Sequence, residues 1–401
     1  MFNSLRLRFL FCLLFFTLLT GCQGLDTGAV IPGVEAFPVQ GSTTSIPTSA
    51  IPEITRVLTT DTPDAAPALP TSTVSPSLTP TPLPTPSPTP PAKTTLLFTG
   101  VIVPARCVQA AIDANGNPNY PYEEVHQIIS EADLAIGTLN ATISDYPPHT
   151  GCVPTYVLVG SANNADALKW AGFDAMSVAT NHIKNCGLMN CGDRAFFDTL
   201  DNLKRVGIAA VGAGKNHAEA IQPIALTVND VRFGIVSLGQ IETMAFAGED
   251  KPGIAILNEE NITKGIAEAR KVSDVVIAMP HWGPEDNPVP NWIQRNLARK
   301  LVEAGADIVV GNHTHVVQAI QKLDNIPIFY GLGNFVFDQD LNDHQQGVIL
   351  LLNFEGKHYT GYELIPTHIS PDGRVSIAGD KESEEILKRI QDASQAVEQN
   401  R

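Results

Sequence analysis

The sequence predicts an α/β domain in which parallel strands carry helices on their outer faces. From Lys93 onwards, short apolar runs alternate with amphipathic stretches. Regular alternation of this kind is typical of parallel sheets with helical crossovers. Each predicted strand also ends in a polar or glycine-containing turn, which is where ligands gather in such sheets. The length of this part of the chain suits one large domain.

The predicted strands are short apolar runs, and the predicted helices repeat apolar residues every three or four positions. The strands are residues 93–101, 133–139, 174–179, 274–279, 308–310, 326–332 and 347–354, the last of them expected to be antiparallel. The helices are residues 122–130, 164–171, 193–205 and 262–271, together with an apolar repeat from Ile293 that ends at Gly305.

The first residues predict an export signal and a lipid anchor. An apolar run at 9–19 follows two arginines and is shorter than the ~20 residues that span a bilayer. Leu19-Thr20-Gly21-Cys22 resembles the lipobox of bacterial lipoproteins, so residues 1–22 are predicted to be a lipoprotein signal peptide ending at a lipidated Cys22. Two acyl chains would hold the protein on the extracytoplasmic face of the cell membrane. An ordinary signal peptide that contains a cysteine is the alternative.

A tether is predicted at residues 23–92, where no apolar run is long enough to build a core. Proline alternates with Thr, Ser or Leu at 80–90, so the segment should stay extended, with a reach of about 200 Å at ~3.1 Å per residue. The folded domain is predicted at 93–380, and residues 381–401 are predicted to be a polar helical or disordered tail.

The formal net charge of −16 argues against nucleic acid as a partner, because its phosphates require a basic face. A polyanionic substrate would depend on a local basic patch, and no such patch is evident from the sequence alone.

Four of the six cysteines remain once Cys12 leaves with the signal and Cys22 is lipidated. In an exported domain these thiols tend to form disulfides. Three pairings are open for Cys107, Cys152, Cys186 and Cys191, of which Cys186–Cys191 with Cys107–Cys152 needs the least rearrangement of loops. A cysteine-rich metal site is the alternative.

Four of the ten histidines fall at the ends of three predicted strands. They are His182, His281, His313 and His315. The last two are two positions apart in a segment expected to be extended, so they should project to the same side and both reach one ion.

Four motifs carry a resemblance to a known family. Residues 177–187 (SVATNHIKNCG), 281–285 (HWGPE), 304–318 (AGADIVVGNHTHVVQ) and 330–335 (YGLGNF) resemble, in order and spacing, the motifs of the capsule-synthesis protein CapA family. The resemblance implies a metallophosphatase-like fold, a four-layer α/β/β/α sandwich. It also implies a part in the synthesis or export of a surface polymer such as poly-γ-glutamate.

The resemblance places Asn181, His182, His281, His313 and His315 at the metal-site positions of the family. Three positions depart from its pattern, because neutral Val101, Asn140 and Asn185 stand where the family has carboxylates. Two divalent ions a few ångströms apart repel each other, and anionic ligands normally offset that repulsion. The expected cofactor is therefore one divalent ion at most, Zn-like or Mn-like, with His182 and Glu285 as candidate catalytic groups.

Two functions remain open at this point. The first is a metal-dependent hydrolase acting on a surface polymer. The second is a catalytically degenerate binding or assembly module of the same fold that works with the synthesis or export machinery. The missing carboxylates favour the module, and the four histidines favour the enzyme. A third possibility, a ligand-binding lipoprotein of a transporter, would need a two-lobed domain that the single alternating series does not suggest.

Overall fold

A computed structural model describes residues 91–146, 149, 151–186 and 192–399, and these belong to one compact unit. The strands are β1 (Lys93–Ile102), β2 (Leu134–Leu139), β3 (Thr142–Ile143), β4 (Val159–Gly160), β5 (Ala175–Ser177), β6 (Ala209–Val211), β7 (Ala213–Gly214), β8 (Ile224–Val228), β9 (Val231–Gly239), β10 (Gly253–Ile254), β11 (Val275–His281), β12 (Ile308–Val310), β13 (Ile320–Leu323), β14 (Ile326–Phe329), β15 (Asn334–Val336), β16 (Gln346–Glu355), β17 (His358–Ile369) and β18 (Val375–Ile377). The α-helices are α1 (Cys107–Asn115), α2 (His126–Ser130), α3 (Asn164–Ala171), α4 (Arg194–Arg205), α5 (His217–Ala220), α6 (Glu259–Val272), α7 (Trp292–Glu303) and α8 (Asp380–Gln399).

Two large mixed sheets form the centre of the domain. The first has the strand order β18-β17-β16-β1-β2-β5-β6, with β15 pairing to the end of β1, and its half from β1 to β6 is parallel. The second has the order β13-β14-β12-β11-β9-β8 and is parallel from β9 to β14. Strand β16 is antiparallel to β1, as predicted.

The two sheets pack face to face over a shared apolar core. Phe98 and Ile136 of the first sheet lie in one cluster with Phe233 and Ile277 of the second. Helices α1, α3 and α4 cover the outer face of the first sheet, and α6, α7 and the end of α8 contribute to the core outside the second. The layers therefore run helix, sheet, sheet, helix, which confirms the predicted α/β class and the four-layer α/β/β/α sandwich.

Local sequence explains why α7 begins where it does. The Asn291 side chain accepts from the Gln294 backbone N–H and the Gln294 side chain accepts from the Asn291 backbone N–H, a capping box that satisfies two free donors at the helix start. Gly305, at φ 103°, follows the helix end. This helix start lies against the turn after β11, because a Cβ at Gly283 would collide with the Gln294 side chain.

The predicted polar tail is helical as α8 and is part of the packed domain. Ile386, Ile390, Ala393 and Val397 recur at helical spacing and are buried. Among the described residues, none of the helices combines the length and the apolar composition of a membrane-spanning segment. The predicted signal peptide, Cys22 and the tether lie outside those residues.

Candidate metal-binding site

The site lies where strands of both sheets end. Asn181 and His182 follow β5 of the first sheet, and His281 ends β11 of the second. The sheets meet here, since Ser177 Oγ lies 2.7 Å from Ser237 Oγ of β9. Asn312, after β12, forms a parallel bridge with His281. The topology thus brings motifs that are about 130 residues apart in sequence to one edge, as expected for parallel strands.

Three of the predicted metal-site residues contact one another directly. His281 Nε2 lies 2.9 Å from Asn181 Oδ1 and 3.1 Å from His313 Nδ1. Both histidines are almost completely buried, with exposures of 1% and 3%. Ligand atoms held at about 2.0–2.2 Å from one ion, at a right angle, are themselves about 3 Å apart. The two distances from His281 Nε2 are hydrogen-bond lengths, and they are also short enough for these atoms to share one divalent ion after small adjustments.

One of three unpartnered buried polar atoms beside this triad, Asn312 Oδ1, is an oxygen that can contact a cation, whereas Asn140 Nδ2 and the Nδ1–H of His281 cannot. His281 Nδ1, Asn312 Oδ1 and Asn140 Nδ2 are buried and have no hydrogen-bond partner among the described residues. An unsatisfied buried polar atom costs about 1–3 kcal/mol, so the site is polar beyond what its own contacts satisfy. The donor set of two imidazoles and one carboxamide is neutral and suits a single Zn-like or Mn-like ion.

The backbone of the His313–His315 turn differs from the sequence expectation. The segment is not extended, since φ is 111° at His313 and 60° at His315. Such values in residues other than glycine cost about 1–3 kcal/mol each and cluster at functional sites. The expectation of an extended segment is therefore wrong, whereas the expectation that both rings, whose centroids lie 5.9 Å apart, reach one ion stays a prediction.

His315 is held by groups that the sequence had not singled out. Its Nδ1 lies 2.8 Å from Asn334 Oδ1, and Asn334 Nδ2 donates to the His344 carbonyl. The second bond fixes the carboxamide, so the oxygen faces His315 and Nδ1 must carry the proton. His344 Nε2 lies 2.6 Å from Asp286 Oδ1. Asn334 stands in the YGLGNF motif, but nothing in the local sequence indicates that it contacts a histidine.

His182 is oriented in the same manner by one of the substituted positions. Asn185 Oδ1 accepts from the Leu158 backbone N–H at 2.8 Å, which identifies it as the oxygen, and it lies 2.8 Å from His182 Nδ1. Nδ1 of His182 therefore donates, and Nε2 is left with its lone pair. Asn140 Oδ1 accepts from the His182 backbone N–H at 3.1 Å. Two of the three neutral replacements thus hold His182 in place.

The loop that precedes Leu158 is also held at residues 152 and 155 by contacts with the start of α1. Cys107 and Cys152 form a disulfide, and Arg106 donates to the Thr155 carbonyl at 2.8 Å. Arg106 also forms an ion pair with Asp338. Cys191 lies outside the described residues, so a Cys186–Cys191 bridge stays a prediction.

Burial keeps the histidines of the site neutral. It lowers the pKa of His313 to about 3 and that of His315 to about 4, and it holds the pKa of His281 well below its usual range. Burial also lowers the pKa of His182, although the hydrogen bond to Asn185 opposes this. Interactions with neighbouring imidazoles add to the depression at all four. Neutral imidazoles are the form that binds metal ions and accepts protons.

Glu285, the carboxylate of the HWGPE motif, lies near His315. Its Oε1 is 3.8 Å from His315 Nε2, and its side chain is about half exposed. A cavity of about 510 Å³ is lined by the following residue, Asp286, together with Val316, His344 and the loop 340–343. Within the described residues no three His, Cys, Asp or Glu side chains form a group that could hold a metal ion, so a site here depends on the Asn181 carboxamide.

Val101, the third substituted position, lies beside the site. It is fully buried, and its partners in register are Thr138 on β2 and Asn334 on β15. Thr138 Oγ1 accepts from Asn312 Nδ2 at 2.7 Å, and Asn334 holds His315. Residues paired in register share a face, so the Val101 side chain is placed among residues of the site.

The family model and two sequence relatives that match this chain carry names of capsule or PGA biosynthesis proteins. A family model described as bacterial capsule synthesis protein PGA_cap matches residues 95–339. The PGA biosynthesis protein CapA of Bacillus subtilis is 30% identical over 275 residues, which is 68% of this chain and 70% of that protein. The capsule biosynthesis protein CapA of Bacillus anthracis is 28% identical over 286 residues, 69% of this chain and 68% of that protein.

Solved structures show weaker likeness. A 5′-nucleotidase precursor from Thermus thermophilus aligns with a TM-score of 0.44 and 15% identity over 76% of this chain and 59% of that one. A hypothetical protein from the same organism aligns with a TM-score of 0.42 and 13% identity over 68% of this chain and 98% of that one. These TM-scores are too low to carry an argument, so the four-layer architecture rests on the sheets and helices described above.

Proposed function

Because the chain belongs to the bacterial capsule synthesis protein family PGA_cap, we propose that it acts in the biosynthesis of a surface polymer of the poly-γ-glutamate type. The names of the two Bacillus relatives, PGA biosynthesis protein and capsule biosynthesis protein, support this role. The similarity covers about two thirds of the chain and of each relative, and the family match includes every motif of the histidine site.

The chemistry that we propose is hydrolysis assisted by one divalent ion. The observation that carries this proposal is a set of two short distances. His281 Nε2 lies 2.9 Å from Asn181 Oδ1 and 3.1 Å from His313 Nδ1. These three residues would hold the ion. When bound, it would polarise a carbonyl or phosphoryl oxygen of the substrate.

The other residues of the site are arranged to accept protons. His182 and His315 each donate from Nδ1 to a carboxamide oxygen, so Nε2 of each carries a lone pair. Their lowered pKa values keep both rings neutral near pH 7. Glu285, 3.8 Å from His315 Nε2, can receive a proton that reaches this ring. His182 and Glu285 are therefore the proposed catalytic groups.

The second candidate is a binding or assembly module without catalysis. Neutral side chains at Val101, Asn140 and Asn185 favour it, because they remove the negative charge that a two-ion site of this kind would need. Such a module would still bind the polymer or its synthesis machinery.

The place of action that we propose is the extracytoplasmic face of the cell membrane. The support is the sequence Leu19-Thr20-Gly21-Cys22, followed by the proline-rich tether. A lipidated Cys22 would attach the chain to the membrane and leave the domain free to meet polymer at a distance.

Metal analysis combined with a hydrolysis assay tests the proposal. Protein purified without chelators should contain one Zn-like or Mn-like ion per chain, and it should shorten poly-γ-glutamate in a gel-filtration assay. His281→Ala and His313→Ala should abolish both properties, whereas His358→Ala, at an exposed position on β17, should change neither. Two ions per chain would refute the single-ion site. An unchanged polymer length together with no bound ion would favour the assembly module.

A further inference from the structure

The outer face of α7 carries an aromatic and basic stripe. Trp292, Arg295 and Arg299 are three and four positions apart, so they lie on one face of the helix. Trp292 is 70% exposed, which is unusual for so large an apolar side chain. Exposed aromatic and arginine side chains are enriched at binding surfaces.

The stripe borders a groove. A cavity of about 150 Å³ lies between α7, the hairpin strand β13 and the end of α8. Besides the three stripe residues, its lining consists of Asn296, Gln321, Leu323 and Val397. The surface therefore combines an aromatic ring, guanidinium groups and carboxamides around a concave floor.

The charge of the stripe contrasts with the rest of the chain, whose formal net charge is −16. Most arginines of the described residues are paired with a carboxylate; these are Arg106, Arg194, Arg205, Arg232, Arg270, Arg374 and Arg389. Arg299 is exposed, and no carboxylate of the described residues forms an ion pair with it. Its guanidinium is thus available to an anionic ligand.

We propose that the groove bounded by Trp292 and Arg299 binds the carboxylate-bearing surface polymer itself. This inference rests on the proposed role in capsule biosynthesis. A guanidinium binds a carboxylate through two parallel hydrogen bonds, and an indole ring packs against the aliphatic part of an extended chain. The groove supplies the local basic patch that a polyanion needs on this acidic protein.

The position of the stripe connects it with the histidine site. Gln294, in the first turn of α7, packs on Gly283, two residues beyond His281. From Trp292 to Arg299 the helix advances about 10 Å at 1.5 Å per residue. Gln294 is buried and Trp292 is exposed, so α7 contacts the turn after β11 with its inner face and carries the stripe on its outer face. The cavity of about 510 Å³ has acidic residues in its lining and offers no comparable attraction for carboxylates.

Fluorescence anisotropy with labelled poly-γ-glutamate tests the assignment on the full mature chain. Arg299→Gln and Trp292→Ala should each weaken binding about fivefold, the effect of losing one favourable contact of roughly 1 kcal/mol. Lys264→Gln removes the same charge from the exposed surface of the neighbouring helix α6 and should leave the affinity unchanged. Polymer with esterified carboxylates should not bind.

The outcomes separate this proposal from that of the metal site. His313→Ala should lose metal but keep polymer binding, so failure of the hydrolase proposal leaves the groove testable. Equal losses in Arg299→Gln and Lys264→Gln would overturn the groove, because the effect would then be one of net charge. Binding that depends on Arg299 to vesicles of anionic phospholipid, without binding to the polymer, would also overturn it.

Discussion

The Asn185 carboxamide oxygen lies 2.8 Å from His182 Nδ1, where a carboxylate would form an ion pair with the protonated ring. We predict that Asn185→Asp raises the pKa of His182 by about one unit or more, since a nearby negative charge favours the imidazolium. An NMR titration of the ring Cε1 proton would measure the shift. Asn185→Ser, which adds no charge, is the control. An unchanged pKa in the aspartate variant would mean that the ring does not contact position 185.

The depressed histidine pKa values predict that acid destabilises the domain. His313 and His315 have pKa values of about 3 and 4, below their ordinary 6.5. Between these values the unfolded chain binds protons that the folded chain does not, so stability is lost as the pH falls below 6.5. Each histidine should contribute about 2 kcal/mol of this loss at about pH 5.

Urea unfolding at neutral pH and at about pH 5, with a chelator present, would measure the loss. In His315→Gln, the free energy of unfolding should fall by about 2 kcal/mol less between neutral pH and about pH 5, because one titrating ring is absent. An identical pH dependence in that variant would contradict the assignment of a neutral buried ring at position 315.

Carboxylates introduced at the neutral positions 101 and 140 are predicted to increase the number of bound metal ions. Val101→Asp combined with Asn140→Glu should raise the metal content from one ion towards two, because two carboxylates would offset the repulsion between the ions. Metal analysis by mass spectrometry would count them. Val101→Asn with Asn140→Gln is matched in size and adds no charge, so it should stay at one ion. No increase in the charged variant would mean that these positions are not ligand positions.

The contact between the turn after β11 and the start of α7 predicts a sensitive glycine. Gly283 has φ 84°, and a Cβ there would lie within 2.6 Å of three Gln294 side-chain atoms. Gly283→Ala should lower the free energy of unfolding by about 2–4 kcal/mol, from backbone strain and overpacking together. Gly116→Ala is the control, since its φ is 60° with no atom within 4 Å. Thermal unfolding would compare them, and equal losses would exclude the clash with Gln294.

The proposed lipid anchor at Leu19-Thr20-Gly21-Cys22 predicts that membrane attachment depends on the Cys22 sulfur. Cys22→Ser should release the protein from membranes into the soluble fraction, because the acyl chains have no other acceptor in this motif. Fractionation after a salt wash would detect the change. Cys12→Ser alters a cysteine inside the apolar run and should leave attachment intact. A Cys22→Ser protein that stays with the membranes would contradict the lipid anchor.

Periodicity predicted the helices better than the strands. Residues 164–171 were predicted as a helix and form α3 with the same bounds. Strand β9, in the middle of the second sheet, was missed, although the turn before it contains Asn229 and Asp230, both with positive φ. Such a turn is typical of a hairpin and would have revealed β8 and β9.

The site could be predicted in its members but not in its arrangement. The motifs contained Asn181, His281 and His313, which lie together in the structure. The turn that holds His313 and His315 has positive φ at both residues, a strained backbone that tertiary contacts impose. Asn334 contacts both His315 and the His344 carbonyl. These residues are not neighbours in the sequence, so no local pattern predicts the contacts.

The disulfide between Cys107 and Cys152 has a practical consequence for where the protein matures. It fastens the loop whose far end, at Leu158, is held by the group that orients His182. Such bonds persist in oxidising compartments and are reduced in the cytosol. In a reducing compartment the two cysteines would be unpaired and this loop would lose its covalent attachment, so, if the protein is exported as proposed, the loop is fixed only after export. Recombinant protein for every assay above should accordingly be produced by secretion or refolded under oxidising conditions.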